Sequence, residues 1–289
     1  MEEEKTKKKV YSHSKLSSFE QCPYKYKLKY IDKVPSPVEK TIEAHLGTCV
    51  HDALEWLYNK VISGELPNID DVLEKYVTRW KEDWKNNILI VKVGVTADDY
   101  KLKGVKFLTD YYFKHRPFKD GTIEMEKQVW INLTDEHSVI GYIDRLVYNK
   151  EKDEYEIHDY KTANSLPTQD KFDSDRQLAL YAIAIKELFG QDKSVLLTWH
   201  YLNHNKQIFS NRTDLQLDKL KSDTIKLIQR IENTDNFPTE TSILCNWCEY
   251  KTYCKAHGNQ LPEKYREKQA LIDSNLWRQY PTTSKYIKD

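Results

Sequence analysis

Hydrophobic and polar positions change period along this chain, and the changes divide it into helical and strand-forming stretches. From Ser14, a plausible cap, Leu16, Phe19, Tyr26 and Tyr30 recur roughly on one helical face, and the pattern ends before Pro35 and Pro37. A second helix is predicted from Leu46-Gly47-Thr48, where Val50, Ala53, Leu54, Leu57 and Tyr58 form an apolar stripe with His51 beside it. Helical patterns also cover 69–86 and 98–115. The period then falls to two. Residues 122–132, 138–149 and 154–162 read as three strands joined by short polar turns at Thr134-Asp135-Glu136 and Asn149 to Asp153, which predicts an antiparallel meander. A helix over 175–189, strands at 195–201 and 206–210, and a helix over 213–233 follow.

This order predicts an α/β fold: a mixed sheet flanked by helices, preceded by a helical insertion. A single domain over 1–289 is expected. Its parts are a flexible charged tail (1–13), a helical region (14–116), a core (117–235), a cysteine-bearing segment (236–258) and a weakly helical tail (259–289). Lys+Arg and Asp+Glu both number 45, so no global field announces a polyanionic partner, and any nucleic-acid surface must be a local concentration of charge. The 20 Tyr and 7 Trp offer stacking surface as well as core. No stretch approaches the ~20 apolar residues of a membrane span and no signal peptide is visible, so a cytoplasmic location is expected.

Cysteine spacing changes the picture. Cys22 stands alone near one end, whereas Cys245, Cys248 and Cys254 fall within ten residues near the other. Cys-x2-Cys-x5-Cys brings three thiolates close enough to share a metal centre, and Cys22 as fourth ligand would lock the two ends together. In a reducing compartment such a cluster more often binds metal than forms disulfides. Four thiolates satisfy zinc or an iron-sulfur cluster equally. Cys49 lies apart and reads as a small packing residue.

The second strand carries Gly141-Tyr142-Ile143-Asp144-Arg145, and Asp159-Tyr160-Lys161-Thr162 ends the third. Alternation puts Asp159 and Lys161 on one face, and Asp144 can join them from the neighbouring strand. Two carboxylates suit Mg2+ or Mn2+, and the lysine would stabilise charge on a phosphate or position the attacking water; a surface cross-strand salt bridge would use the same residues. His158 alternates to the opposite face and reads as structural, and His200 and His204 have ligand spacing only for a helix, which they do not occupy. Glu124 and Glu126 read equally as solvated or as supporting the site. Lys25, Lys27, Lys29 and Lys33, interleaved with Tyr24, Tyr26 and Tyr30, form either a solvated helix face or a DNA contact.

Taken in order, Gly141-x-Ile143-Asp144-Arg145, Asp159-Tyr160-Lys161-Thr162 and Gln177-Leu178-Ala179-Leu180-Tyr181 resemble the three core motifs of the PD-(D/E)XK nuclease superfamily. Gly47-x3-His51 is similar to the additional metal-binding histidine of its RecB-type branch. The four cysteines resemble the 4Fe-4S staple of AddB-type and CRISPR-associated exonucleases. The resemblance implies a restriction-endonuclease-like core whose ends are joined by a four-cysteine cluster. It implies His51, Asp144, Asp159 and the Tyr160 carbonyl as metal ligands, and Lys161 as the catalytic lysine. Gln177 and Tyr181 would orient the site or contact the DNA backbone, and Cys22, Cys245, Cys248 and Cys254 would hold 4Fe-4S rather than zinc. Asp159 stands where many relatives have Glu, a shorter arm. The implied activity is that of a Mg2+- or Mn2+-dependent DNA exonuclease acting on single strands or free ends, with recombination, phage or CRISPR-adaptation proteins as partners. A catalytically idle nucleic-acid-binding or assembly module, and a phosphohydrolase of small nucleotides, are the competing functions.

Overall fold

A computed structural model describes residues 8–266. Its first element corrects the expected flexible tail: Lys9–Ser12 form strand β1, anchored because Tyr11 is buried and its hydroxyl donates to Glu232 at 3.0 Å. Four residues are too few to display a period, which is why a lysine-rich start reads as a tail. Ser12, not Ser14, caps α1 (His13–Gln21) by accepting from the Lys15 N–H at 3.2 Å. The chain is extended at Cys22, re-enters a helix at Pro23 as α2 (Pro23–Tyr26) and finishes in a π-helical turn, Lys27–Ile31. Helix α3 (Ile42–Ile62) starts four residues before the expected Leu46, capped by Thr41, and buries Ile42 and His45 as well as the predicted stripe. Helices α4 (Ile69–Glu82) and α5 (Ala97–His115) both open on capping boxes, Asn68 with Asp71 and Thr96 with Asp99, each satisfying two otherwise orphaned N–H groups.

The expected meander forms. Strands β2 (Thr122–Asn132), β3 (His137–Asn149) and β4 (Glu154–Lys161) are antiparallel in sequence order. The chain then crosses through α6 (Gln169–Asp173) and α7 (Gln177–Phe189) to β5 (Ser194–Tyr201), parallel to β4, and returns as β6 (Lys206–Ser210). The result is a mixed six-stranded sheet. Helices α1, α7 and α8 (Asp214–Glu232) pack one core against one face, and α3, α4 and α5 build a second core against the other. Three short 3-10 turns between Ile243 and His257 carry the cysteine trio. The expectation for residues 267–289 lies outside the described residues. Among the described residues no helix is long and apolar enough to cross a membrane.

One topological detail positions the chemistry. β2 runs along one edge of β3, so β1 and β4 must share the other: β1 pairs with residues 137–140 and β4 with 145–149. Residues 141–144 of β3 therefore face a split in the sheet.

Candidate active site at the split of the sheet

Where β4 leaves β3, after the Arg145–His158 pair, its next amides need new acceptors. The Tyr160 N–H donates to the Asp144 carboxylate at 2.8 Å, so the aspartate side chain closes the gap that the ladder leaves. His51, on α3, spans the same gap: its Nδ1 lies 3.4 Å from Asp144 and its Nε2 donates to the Tyr160 carbonyl at 2.8 Å. Three of the proposed ligands, His51, Asp144 and the Tyr160 carbonyl, are thus in direct contact, although His51 and Tyr160 are 109 residues apart in sequence. Simple alternation does not predict this. Asp144 and Arg145 are adjacent on β3, yet both meet α3, Arg145 through its guanidinium 4.4 Å above the Tyr58 ring.

Opposite Asp144, between the pairs Lys127–Ile143 and Met125–Arg145, stands Glu126, whose backbone has φ 48°. That strained conformation turns its carboxylate into the site: ligand atoms of His51, Glu126 and Asp144 all lie within 4.8 Å of one another. Of the two sequence readings, the supporting role is the one its position fits. Burial pushes Asp144 up to about 6, with the His51 ring opposing and the charge of Asp159 adding. Burial and the neighbouring Asp144 charge push Glu126 up to about 7.

Asp159 and Lys161 turn toward α7. Their ion pair is 2.7 Å long, and Lys161 Nζ also donates to Gln177 Oε1 at 3.2 Å. Burial disfavours the Lys161 charge, yet the adjacent Asp159 carboxylate holds its pKa above the ordinary lysine value. Gln177 in turn meets the Tyr181 hydroxyl, which also receives the backbone of Tyr142. Tyr181 is only 6% exposed, so of its two expected roles the orienting one fits its position. Its ring lies over Gly141, where a Cβ would stand 2.1 Å from the ring, so the glycine of the motif is the space the tyrosine occupies. Two further residues near Lys161 escaped sequence reasoning. His13 is lowered to about 4 by burial and by the Arg176 and Lys161 cations, and Asp175, raised by burial, caps α7 through the Leu178 N–H at 3.1 Å.

The remaining candidates separate clearly. His158 and His200 are buried against each other at 2.7 Å and, with Arg145, Tyr58, Tyr111 and Tyr160, form a polar layer under the site. Arg145 donates to the Tyr160 hydroxyl at 2.8 Å, so the layer fixes the residue whose carbonyl faces His51. His204 bonds the Asn164 carbonyl. Cys49 is fully buried, as expected, beside His45. His45 has its Nε2 3.9 Å from the Cys49 sulfur and its Nδ1 3.4 Å from Asp83, so ligand atoms of these three residues also gather within 4.8 Å of one another.

The basic helix face is partly occupied. Lys27 is buried against Asp32 at 3.3 Å, and Lys25 and the exposed Lys29 both hold Glu249, at 2.9 and 3.2 Å, which ties this stretch to the C-terminal segment, while Lys33 is exposed. Beside them Cys22, Cys245, Cys248 and Cys254 line one cavity of about 290 Å3. Backbone N–H groups of Glu240 and Ser242 point at the sulfurs of Cys22 and Cys245 at 3.5 and 3.4 Å.

Comparison with known proteins fits this geometry. The chain belongs to the PD-(D/E)XK nuclease superfamily, whose family model matches residues 10–255. These are phosphodiester hydrolases that use divalent metal ions. No curated protein matches the chain. Two solved structures resemble it: that of SSO0001, with 13% identity, a TM-score of 0.39 and 89% of each chain covered, and that of a "putative exonuclease" from Eubacterium rectale, with 11% identity, a TM-score of 0.46 and 86% and 88% covered.

Proposed function

We propose that this nuclease is a Mg2+- or Mn2+-dependent DNA exonuclease of the RecB-type branch, with a structural 4Fe-4S cluster at its cysteine cavity. The observation that carries the catalytic reading is the convergence of His51, Asp144, the Tyr160 carbonyl, Asp159 and Lys161 at the sheet split. The donors suit a divalent ion. His51 Nε2, once it gives up the proton it shares with the Tyr160 carbonyl at 2.8 Å, would face an ion together with that oxygen. The buried Asp159 Oδ2 makes no hydrogen bond, although Lys161 neutralises it. His51, Asp144, Asp159 and Tyr160 would hold the ion, with Glu126 in reach; the ion would neutralise phosphate oxygens and lower the pKa of water. The chain's own residues do the rest. Lys161, kept as an ammonium by Asp159 and aimed by Gln177, donates to a phosphate oxygen as charge accumulates there. Tyr181 holds Gln177 in place, and Arg145 holds Tyr160.

For the cavity, the donor set is four thiols, with two backbone N–H groups directed at the sulfurs of Cys22 and Cys245. A multi-iron cluster held there would act as a clamp between Cys22 and the C-terminal trio. In a reducing cytoplasm the thiols stay available to it. Recombination, phage or CRISPR-adaptation proteins are the proposed partners.

Digestion of end-labelled single- and double-stranded DNA with Mg2+ or Mn2+ tests the activity. Release of mononucleotides or short products from an end, lost in Asp144→Asn, is expected; intact DNA, or products only from internal cuts, would refute the exonuclease reading. Anaerobically purified protein should be brown, with about four irons per chain; stoichiometric zinc in a colourless sample would refute the cluster.

A further inference from the structure

The face of β3 that carries Asp144 continues past the cleft without a cover. Alternation sends Val139 and Ile143 into the core with α7, and leaves Ile140 and Tyr142 on the same side as Asp144. Across the ladder, Gln128 pairs with Tyr142 and Trp130 with Ile140. Trp130 is 46% and Tyr142 49% exposed, a large apolar surface for a sheet centre. Tyr142 does not swing freely: Gln128 Nε2 donates to its hydroxyl at 2.8 Å. At the far end Lys8 Nζ donates to Asn132 at 3.1 Å and remains exposed, so the strip ends in a cation.

Resting on the nuclease reading, the geometry points to this strip as a stacking platform for unpaired bases, which makes single-stranded nucleic acid the substrate form that reaches the cleft. Three features select that occupant. The strip is continuous with the cleft, Tyr142 being two residues from Asp144, roughly 7 Å along the strand. Beyond Glu126 and Asp144 its residues carry no acid to repel a polyanion. Its rings are flanked by the amides of Gln128 and Asn132, which tolerate any base, while only an unpaired base can present its face to a ring. The bases of a duplex are already stacked on each other.

The test is anisotropy of a fluorescein-labelled oligodeoxythymidylate, with Ca2+ replacing Mg2+ or Mn2+. Both rings are exposed, so Trp130→Ala/Tyr142→Ala should fold normally, yet bind the oligonucleotide on the order of tenfold more weakly per ring lost. Tyr142→Phe keeps the ring and should bind like wild type. Affinity for a blunt duplex, and Mn2+-dependent hydrolysis of bis(p-nitrophenyl) phosphate, which needs no platform, should not change. Unchanged oligonucleotide affinity in the double variant would overturn the proposal. So would equal loss for the duplex, or loss of self-association alone, which would make the strip a contact between copies. A wild-type protein that needs both rings to bind but hydrolyses neither substrate would refute the nuclease reading and leave the platform standing.

Discussion

The sheet split and the cysteine cavity both gather metal-binding side chains, and they are built in opposite ways. The split lies between two large cores. Its ligands are positioned by a strand ladder, by α3 and by the polar layer around Arg145. Among the described residues the cavity lies beside a core of four buried residues, Leu28, Val34, Tyr250 and Leu261, with Cys245 in a single 3-10 turn and Cys248 and Cys254 capping such turns. A preformed site holds like charges together and costs stability; a site with little core of its own draws stability from what it binds. An ion at the split should therefore matter to rate, and a cluster at the cavity should matter to the fold.

The sharpest way to break this contrast is at the split. Lys161→Ala should lower the rate of DNA cleavage by roughly a thousandfold or more while leaving the circular dichroism spectrum and melting temperature close to wild type. A large loss of stability with retained turnover would reverse the assignment. At the cavity the expectation inverts: Cys248→Ala should lower melting temperature on the order of 10 °C and open residues 236–266 to hydrogen exchange, since about 3 kcal/mol shifts a chain of this size by that much. Equal protection in the variant would show that the Glu249 ion pairs and Tyr250 suffice to hold the segment.

A smaller effect sharpens the cost of the preformed site. In the fold, Asp144 and Glu126 titrate at about 6 and about 7, above the 3.8 and 4.5 of ordinary carboxyls, so folding favours their protonated forms. The metal-free protein should thus be most stable on the acid side of this window and lose stability as pH rises through 6 to 7. At pH 8, Asp144→Asn should stabilise the metal-free protein by about 2 kcal/mol, because the amide oxygen can still accept from Tyr160 without the buried charge. A destabilised variant would mean that the carboxylate is held comfortably as an anion. The smallest effect concerns the basic helix. Lys25→Ala/Lys29→Ala should leave the salt dependence of DNA binding unchanged and cost under about 1 kcal/mol, as expected for partly exposed pairs with Glu249. A flatter salt slope would return these lysines to the DNA path.

Much of the molecule was legible because its signals are local. Alternation over 122–149 defines two strands that the structure pairs antiparallel, and the stripe from Val50 to Tyr58 defines the body of α3. The family resemblance picked out His51, Asp144, Tyr160, Lys161 and Gln177; in the fold the first three touch one another, and Lys161 separately bonds Gln177. Burial of one face leaves a periodic trace in the sequence, and the loop closing a hairpin is short enough to read.

What the sequence did not contain is set by pairing between distant segments. β1 looks like a charged tail until Tyr11 finds Glu232, and the split that aims Asp144 at His51 exists only because β1 and β4 share one edge of β3. Glu126 enters the site through a positive φ that no residue pattern announces, and Lys25 and Lys29 are paired because Glu249 arrives from the other end of the chain. Periodicity records which side of an element is dry. Which carboxylates meet, and which cations are already spoken for, depends on backbone hydrogen bonds and ion pairs closed across more than 100 residues, and those are decided only when the chain has folded.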